Sequence, residues 1–439
     1  MITLMTLDPG HFHAALLQKI MYDQVSSSVY VFAPQGDDLE AHLGHIENFN
    51  SRSTCPTSWH QQVYQGADFV QQLLTQRPGD VVVIAGINAR KAGYIKTAVE
   101  AGLHVLADKP MCINPESWDV IKTALTLARQ QGTLLSDIMT SRHEITNILF
   151  KELVNDANVF GVLERGTPER PAVLKQSTHH LFKSVDGRPL TRPGWYFDVS
   201  QQGEGIIDVA THLVDQVIWS CFPQQAIDYA DINMLQARRW STNLTREQFQ
   251  HVTGLADFPP ALRQRLDGNG NLPYSCNGEM LYTIKGMHTK IIVQWDYQAP
   301  SGTGDTHLGE TRGTLSTVRI RQSEAQRYQP ELYVEAAAGT SPVALQSAVQ
   351  AVIDRLQTHY PGIASRRQAN EWHIIIPDRY RIGHEAHFAQ VFKTYLQFLD
   401  QGAPDWEAPN LLAKYYTTTQ ALALAQRQEI SEGARRKAQ

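Results

Sequence analysis

The sequence predicts an α/β protein: an N-terminal doubly wound parallel sheet followed by a C-terminal α+β domain with an open, mainly antiparallel sheet. Three observations predict it. The first 140 or so residues alternate short, continuously apolar runs with helical stretches, the pattern of strands covered on both faces. Beyond about residue 145 the strands lengthen and alternate apolar with polar, the period-two signature of half-buried antiparallel pairs. And 439 residues exceed what one core holds, since single cores stop growing near roughly 250 to 300 residues. Two domains follow, residues 1–140 and 141–439.

The apolar runs are "ITLMTL", "SVYVFAP", "DVVVIAG", "HVLADKP" and "TLLSDIM". Between the last three lie "RKAGYIKTAVEAGL" and "NPESWDVIKTALTLARQQG", helical in spacing and each closed by a glycine in a C-cap position, Gly102 and Gly132. In the second half "EMLYTIKGMHTKIIVQWDYQ", "STVRIRQ", "ELYVEAA" and "EWHIIIPD" are the alternating strands. Residues 223–275, richer in Pro, Gly, Asn and Gln, read as an insertion with one or two short helices; Thr245 and Gln248 have capping-box spacing there. An amphipathic helix is expected at 384–400 and another at about 409–428, with "EISEGARRKAQ" frayed behind it.

Composition narrows the class. With 42% hydrophobic and 19% charged residues and no apolar run near the roughly 20 residues a bilayer requires, the chain reads as soluble and globular, with no membrane partner. Lys plus Arg is 39 against Asp plus Glu 44, so 39 − 44 = −5, and the basic residues are scattered, which argues against a nucleic-acid partner. "MITLMTLDPG" lacks the parts of a signal peptide, and Cys55, Cys112, Cys221 and Cys276 show no CxxC spacing. A cytoplasmic, reduced protein with no metal site is the expectation.

Three stretches could carry chemistry. "DPGHFH", residues 8–13, closes the first strand where GxGxxG would stand in a dinucleotide-binding turn, and it keeps only the middle glycine, Gly10; Asp8 and His13 replace the others. It suits a rebuilt nucleotide loop or a plain turn. "GLHVLADKP" ends a parallel strand, where doubly wound folds place ligands, and Lys109 there could stabilise negative charge on a substrate oxygen or be an ordinary surface lysine. In "GEGIIDVATHLVDQVIW", Asp208, His212, Asp215 and Trp219 recur every three or four residues and share one helical stripe. An imidazole between carboxylates can act as a general base; a single metal, with His179 and His180, is the rival use, and a solvated polar stripe the plain one.

In this order the pieces resemble the Gfo/Idh/MocA family of nicotinamide-dependent oxidoreductases. "DVVVIAGINARKAGYIKTAVEAGLHVLADKP" is similar to the family's strand, helix, strand and EKP block without a gap, with Asn88 on its TPN position and Asp108-Lys109-Pro110 on its EKP. Arg142 sits where the family has an arginine after the next strand, and residues 203–219 match its GGGxLxDxGxHxxDxxxW segment. Lys91 stands where many members have histidine. The likeness extends over residues 1–220 and the last helices, and is greatest to a divergent subgroup that opens with "LDPGHFHAAL" and carries its own C-terminal domain.

The resemblance implies a Rossmann domain binding NAD or NADP through Asp8, Gly10, His11, Phe12, His13, Ala33, Pro34, Ala85, Gly86, Asn88, Asp108, Lys109 and Arg142. It implies hydride transfer at the hydroxyl carbon of a sugar, glycoside or polyol. His212 would take the hydroxyl proton, Lys109 would stabilise the developing alkoxide, and Asp208 would orient the imidazole. His179, His180, Arg192, Trp195, Tyr196 and Asp215 would bind the carbohydrate. A homodimer or homotetramer is expected, as the family commonly shows. Alternatives within the same fold are an enzyme that uses bound NAD catalytically to eliminate a glycosidic bond, and a non-catalytic sugar or nucleotide sensor.

Overall fold

The structure is a computed structural model that describes residues 1–185 and 188–438. It divides into two compact units: Met1–His143 with Gly383–Tyr415, and Glu144–Ile382 with the chain from Tyr416 on.

The first unit is built on β1 (Leu4–Leu7), β2 (Ser28–Ala33), β3 (His60–Gln65), β4 (Val81–Ile84), β5 (His104–Asp108) and β6 (Leu135–Ile138), all parallel in the order β3-β2-β1-β4-β5-β6. This is the doubly wound order, and its direction reverses between β1 and β4, so ligands belong at the carboxyl ends of those two strands. Five of the six strands are the apolar runs of the sequence. The sixth, β3, reads "HQQVYQ" and is exposed along most of its length; as an edge strand it faces water and carries no hydrophobic signature.

The crossovers are α1 (His13–Leu16), α2 (Asp37–Ser51), α3 (Phe69–Gln76), α4 (Asn88–Glu100) and α5 (Pro115–Gln131). α5 shows how local signals set boundaries: Asn114 and Ser117 form a reciprocal capping box, Pro115 occupies the first turn, and Gly132 ends the helix at φ 71°. Gly102 turns the chain after α4 at φ 76°. Leu4, Val81, Val83, Leu106 and Ile138 share a core with Phe388, Phe392 and Tyr395 of the helix His384–Gln401. The chain thus returns to this unit from Gly383 to Tyr415, a stretch the sequence grouped with the second domain.

The second unit carries α6 (Ile145–Val154), β7 (Val173–Phe182), the short pair β8 (Ser184–Val185) and β9 (Arg188–Pro189), α7 (Val199–Gln202), α8 (Gly205–Cys221), β10 (Ile232–Leu244), α9 (Arg246–Thr253), α10 (Pro260–Arg263), β11 (Leu272–Ile284), β12 (Met287–Gln298), β13 (Thr306–Arg312), β14 (Ser316–Gln322), β15 (Glu331–Ala336), α11 (Pro342–Leu356), β16 (Ala364–Gln368) and β17 (Glu371–Ile375). Its nine-stranded sheet runs β10-β11-β12-β7-β13-β14-β15-β17-β16, antiparallel except where β7 lies parallel to β12. Lys285 and Gly286, both at positive φ, make the two-residue turn between β11 and β12. α6 and α11 pack on the apolar residues of β14, β15 and β17, and α8 covers β11 and β12.

Residues 223–275 differ from the expectation. The two short helices are there, α9 with its Thr245–Gln248 capping box and α10, but the segment also contributes the 13-residue edge strand β10. Register shifts at Met234/Gln236 and Trp240/Thr242 interrupt its alternation, which is why "INMLQARRWSTNL" reads as irregular. Finally α12 (His384–Gln401) and α13 (Glu407–Ala438) close the chain; α13 carries helix through most of the segment expected to fray, whose last residue lies outside the described residues. Among the described residues no helix is long and apolar enough to cross a membrane.

His42 of α2 is buried with neither ring nitrogen hydrogen-bonded, and burial lowers its pKa to about 4. The unfolded chain takes up a proton near pH 6.5 that the folded chain refuses until about pH 4, so stability is full above pH 6.5 and is lost as pH falls through that window. His42→Met should remove on the order of 2 to 3 kcal/mol of that loss between pH 7 and 4, read from urea midpoints at each pH.

Candidate functional site

The first turn shows how a dinucleotide loop can be rebuilt without its flanking glycines. Asp8 holds φ 46°, the left-handed conformation glycine would supply and aspartate tolerates better than most residues. Its Oδ2 accepts from Tyr94 Oη at 2.9 Å and from Arg90 at 3.3 Å, so α4 both fixes and neutralises a carboxylate that would otherwise repel phosphate. Gly10 sits in a tight place: a Cβ there would lie 3.0 Å from Asp38 Oδ2 and 3.4 Å from the Gly86 Cα. Opposite it, a Cβ on Gly86 would lie 2.3 Å from the Asp8 carbonyl oxygen, and the His11 amide donates to Ala85 O at 3.0 Å. The ends of β1 and β4 therefore meet backbone to backbone.

His13, at the third glycine position, fills the space instead of leaving it. Its Nδ1 donates to Asp108 Oδ2 at 2.9 Å, and both residues are buried. Burial by itself would raise the Asp108 carboxyl, but His13 beside it and the Lys91 ammonium hold it well below the usual carboxylate range. Lys91, fully buried, donates to Asn88 Oδ1 at 2.7 Å and to the Asp108 carbonyl at 2.8 Å, tying α4 to the DKP corner. His11 lies 3.8 Å from Asp108 Oδ2, and burial with neighbouring His13 pushes its pKa well below the ordinary value, so it is a neutral ring.

The structure thus gathers Asp8, Gly10, His11, His13, Ala85, Gly86, Asn88, Asp108 and Lys109 at the carboxyl ends of β1, β4 and β5, with Ala33 and Pro34 after β2. Phe12 packs at the edge of the hydrophobic core. Arg142 is engaged elsewhere: it donates to Glu407 Oε1 at 2.8 Å and Oε2 at 3.0 Å. Arg90 and Tyr94 were not singled out from sequence; their i, i+4 spacing was the available signal. His11, His13 and Asp108 have ligand atoms within 4.8 Å of one another and could converge on a cation, although they already satisfy each other.

In the second unit α8 starts against the sheet at very close range. A Cβ on Gly205 would lie 1.6 Å from Cys276 O, and one on Gly278 would lie 2.7 Å from Ile206 Cβ. That contact lays α8 on β11 and buries it on nearly every side, with Asp208 and Asp215 inside and His212 half-exposed. Asp208 accepts from Gln202 Nε2 at 3.2 Å. Trp219, the last residue of the predicted stripe, lies under the Lys151 ammonium at 4.1 Å instead.

β7 brings a second group together. His180 Nδ1 and Lys183 Nζ each donate to Asp305 at 2.9 Å, His179 Nδ1 stands 3.3 Å from the same carboxylate, and Ser177 Oγ donates to His179 Nε2 at 2.6 Å. Burial works against the Asp305 charge, yet the His179 bond and the Lys183 ammonium hold its carboxyl well below the usual range. Arg192 lies over the rings of Tyr196 at 4.6 Å and Trp295 at 5.2 Å, and His179 packs on Trp295 at 4.9 Å. The indole nitrogen of Trp195 is buried without a hydrogen bond. Asp305 and Trp295 were missed by sequence reasoning, since each pairs with β7 only through the sheet.

Two stability predictions follow from these contacts. Asp8→Asn should leave the midpoint of unfolding within about 1 kcal/mol of wild type, whereas Asp8→Val, β-branched at positive φ and without the Tyr94 bond, should lose about 2 kcal/mol or more. Gly205→Ala should lose about 3 kcal/mol, because backbone rather than a flexible side chain opposes the added methyl. Urea titration of each variant checks both.

Comparison with known proteins agrees with this architecture. Residues 149–426 match the family described as "Putative oxidoreductase C terminal domain", and residues 33–137 match "Oxidoreductase family, NAD-binding Rossmann fold". None of the curated proteins matches the chain. A solved structure of a "putative oxidoreductase" from Parabacteroides merdae is 48% identical over 97% of this chain and 98% of its own, with a TM-score of 0.95. KijD10, a 3-ketoreductase from Actinomadura kijaniata solved with NADP and TDP-benzene, is 14% identical over 96% of each chain at a TM-score of 0.56, a likeness of fold. A "putative oxidoreductase" from Thermotoga maritima is 14% identical at a TM-score of 0.61 over 97% of this chain and 98% of its own, again a likeness of fold. The strand order, the glycine-to-glycine approach of β1 and β4, and the neutralised Asp8 suit the dinucleotide that the first match names. The chain belongs to the Gfo/Idh/MocA family of NAD-binding Rossmann-fold oxidoreductases, in the group that carries this C-terminal domain.

Proposed function

We propose that the protein is an NAD(P)-dependent oxidoreductase acting at a hydroxyl-bearing carbon of a sugar, glycoside or polyol. The observation that carries this reading is α8: a helix buried on nearly every side that keeps one half-exposed imidazole, His212, between two buried carboxylates, Asp208 and Asp215. Such an arrangement holds a base of defined orientation where a substrate can reach it. The bound nicotinamide supplies the hydride acceptor or donor.

The chain's own residues do the rest. His212 takes the proton of the substrate hydroxyl on oxidation and returns it on reduction. Lys109, fixed at the end of β5 through its neighbour Asp108, supplies positive charge at the nicotinamide end of the first unit. Asp8, Gly10, Ala85, Gly86 and Asn88 line the cofactor end of the sheet, and Asp38, 3.0 Å from where a Gly10 side chain would begin, is placed to accept from a ribose hydroxyl. KijD10, named a 3-ketoreductase and solved with NADP, supports the carbonyl–carbinol reaction class.

The test is reduction of NAD or NADP, followed at the reduced-nicotinamide absorbance band, against a panel of sugars and polyols. His212→Ala should lower kcat by about 10² to 10⁴-fold with nicotinamide binding unchanged. Lys109→Ala should lower kcat and also weaken nicotinamide binding. Wild-type rates in both variants would remove the reading.

A further inference from the structure

Arg192 is buried to nine-tenths and always charged, yet among the described residues no carboxylate pairs with it. Its guanidinium carbon lies 4.6 Å from the centroid of Tyr196 and 5.2 Å from that of Trp295. Nε donates to the Leu181 carbonyl at 3.2 Å, and the Arg192 amide donates to Val252 O at 2.9 Å, so backbone and side chain are both fixed. The nearby carboxylates are occupied: Asp208 accepts from Gln202, and Asp305 takes His179, His180 and Lys183.

A desolvated cation without a counter-ion is costly, and folds keep one where a ligand supplies the missing charge. With Nε engaged, the two terminal nitrogens remain as a planar fork, the geometry that takes an oxyanion through two parallel hydrogen bonds. The two ring contacts and the Nε bond already restrict the side chain, so little ordering is left for the ligand to impose. His179 lies tilted against Trp295 with ring centroids 4.9 Å apart, which adds a second side chain beside the guanidinium.

We propose that Arg192 is a specificity-determining residue for an anionic sugar, receiving a carboxylate or phosphate carried by the substrate on its free edge. The proposal rests on the carbohydrate reading given above and narrows it to acidic substrates.

The experiment is isothermal titration of the full-length protein, with and without NAD, using D-glucuronate, D-galacturonate, D-gluconate and D-glucose 6-phosphate against neutral D-glucose and D-galactose; inorganic phosphate is a further arm. At least one acidic sugar should bind about 30-fold or more tighter than its neutral parent, and the uronate and phosphate arms say which oxyanion is used. Arg192→Met should abolish the preference, and Arg192→Lys should keep only part of it. Ligand-free Arg192→Met should unfold at or above the wild-type midpoint, because it removes an uncompensated buried charge; a purely structural arginine would lower it. Equal binding of acidic and neutral sugars, a preference that survives Arg192→Met, or a destabilised ligand-free variant would overturn the proposal. Turnover is scored separately: anion-selective binding without nicotinamide reduction keeps this subsite and removes the hydride-transfer reading, whereas turnover of neutral sugars alone does the reverse.

Discussion

The carboxylate of Asp108 and the groups gathered on it hold the cofactor end of the first unit in place. In a doubly wound sheet the turn after β1 must come close to β4 and β5, and glycines usually allow it by removing side chains. Here the approach is made by pairing. His13 reaches from α1 to Asp108, and Lys91 reaches from α4 to the carbonyl of the same residue. Two segments distant in sequence converge on one residue of the DKP corner, and Lys109 inherits a fixed backbone from them. Neither the His13 ring nor the Lys91 ammonium could be buried so deeply without that acceptor.

The second unit solves a similar problem by the opposite means. α8 is brought to the sheet by removal of side chains, at Gly205 against Cys276 O and at Gly278 against Ile206. A helix seated that closely has little freedom to roll, so the face on which Asp208, His212 and Asp215 stand is set by backbone contact. Glu204, which caps it, is held by Arg239, and Arg239 is held in turn by Glu429 of α13. The precision of the helix start is therefore distributed over the edge of the sheet.

Legibility in the sequence followed burial. Strands covered on both faces, such as "DVVVIAG", announce themselves because every position must be apolar; β3 and β10 do not, because edge strands face water and bulges break their period. The motif residues of the first turn were identifiable by position, but what replaced the glycines was not: the partners of Asp8 and His13 come from α4 and from Asp108, contacts across 82, 86 and 95 positions that no local spacing encodes. The return of Gly383–Tyr415 to the first unit was hidden for the same reason, since an amphipathic stripe states that a face is buried and not against what. The joining of His179 and His180 to Asp305 depends on β13 pairing with β7, a register that only the folded sheet specifies.

Charge compensation links these observations. In the first unit Asp8 has Arg90 and Tyr94, and Asp108 has His13 and Lys91, so these two carboxylates of the nucleotide end are compensated from within. Backbone amides and glycine edges are then what that surface offers a phosphate, which is what a pyrophosphate site requires. In the second unit Asp305 collects three potential cations while Arg192, more deeply buried, has ring faces and the Leu181 carbonyl. Ring quadrupoles attract a guanidinium but do not cancel its charge. The chain could have spent one of its carboxylates on Arg192; instead the carboxylate beside β7 is given to histidines and a lysine, and the guanidinium fork is left open. An internally neutral cofactor end and an uncompensated cation among aromatic rings are the electrostatic pattern of a protein whose remaining negative charge arrives with its ligand.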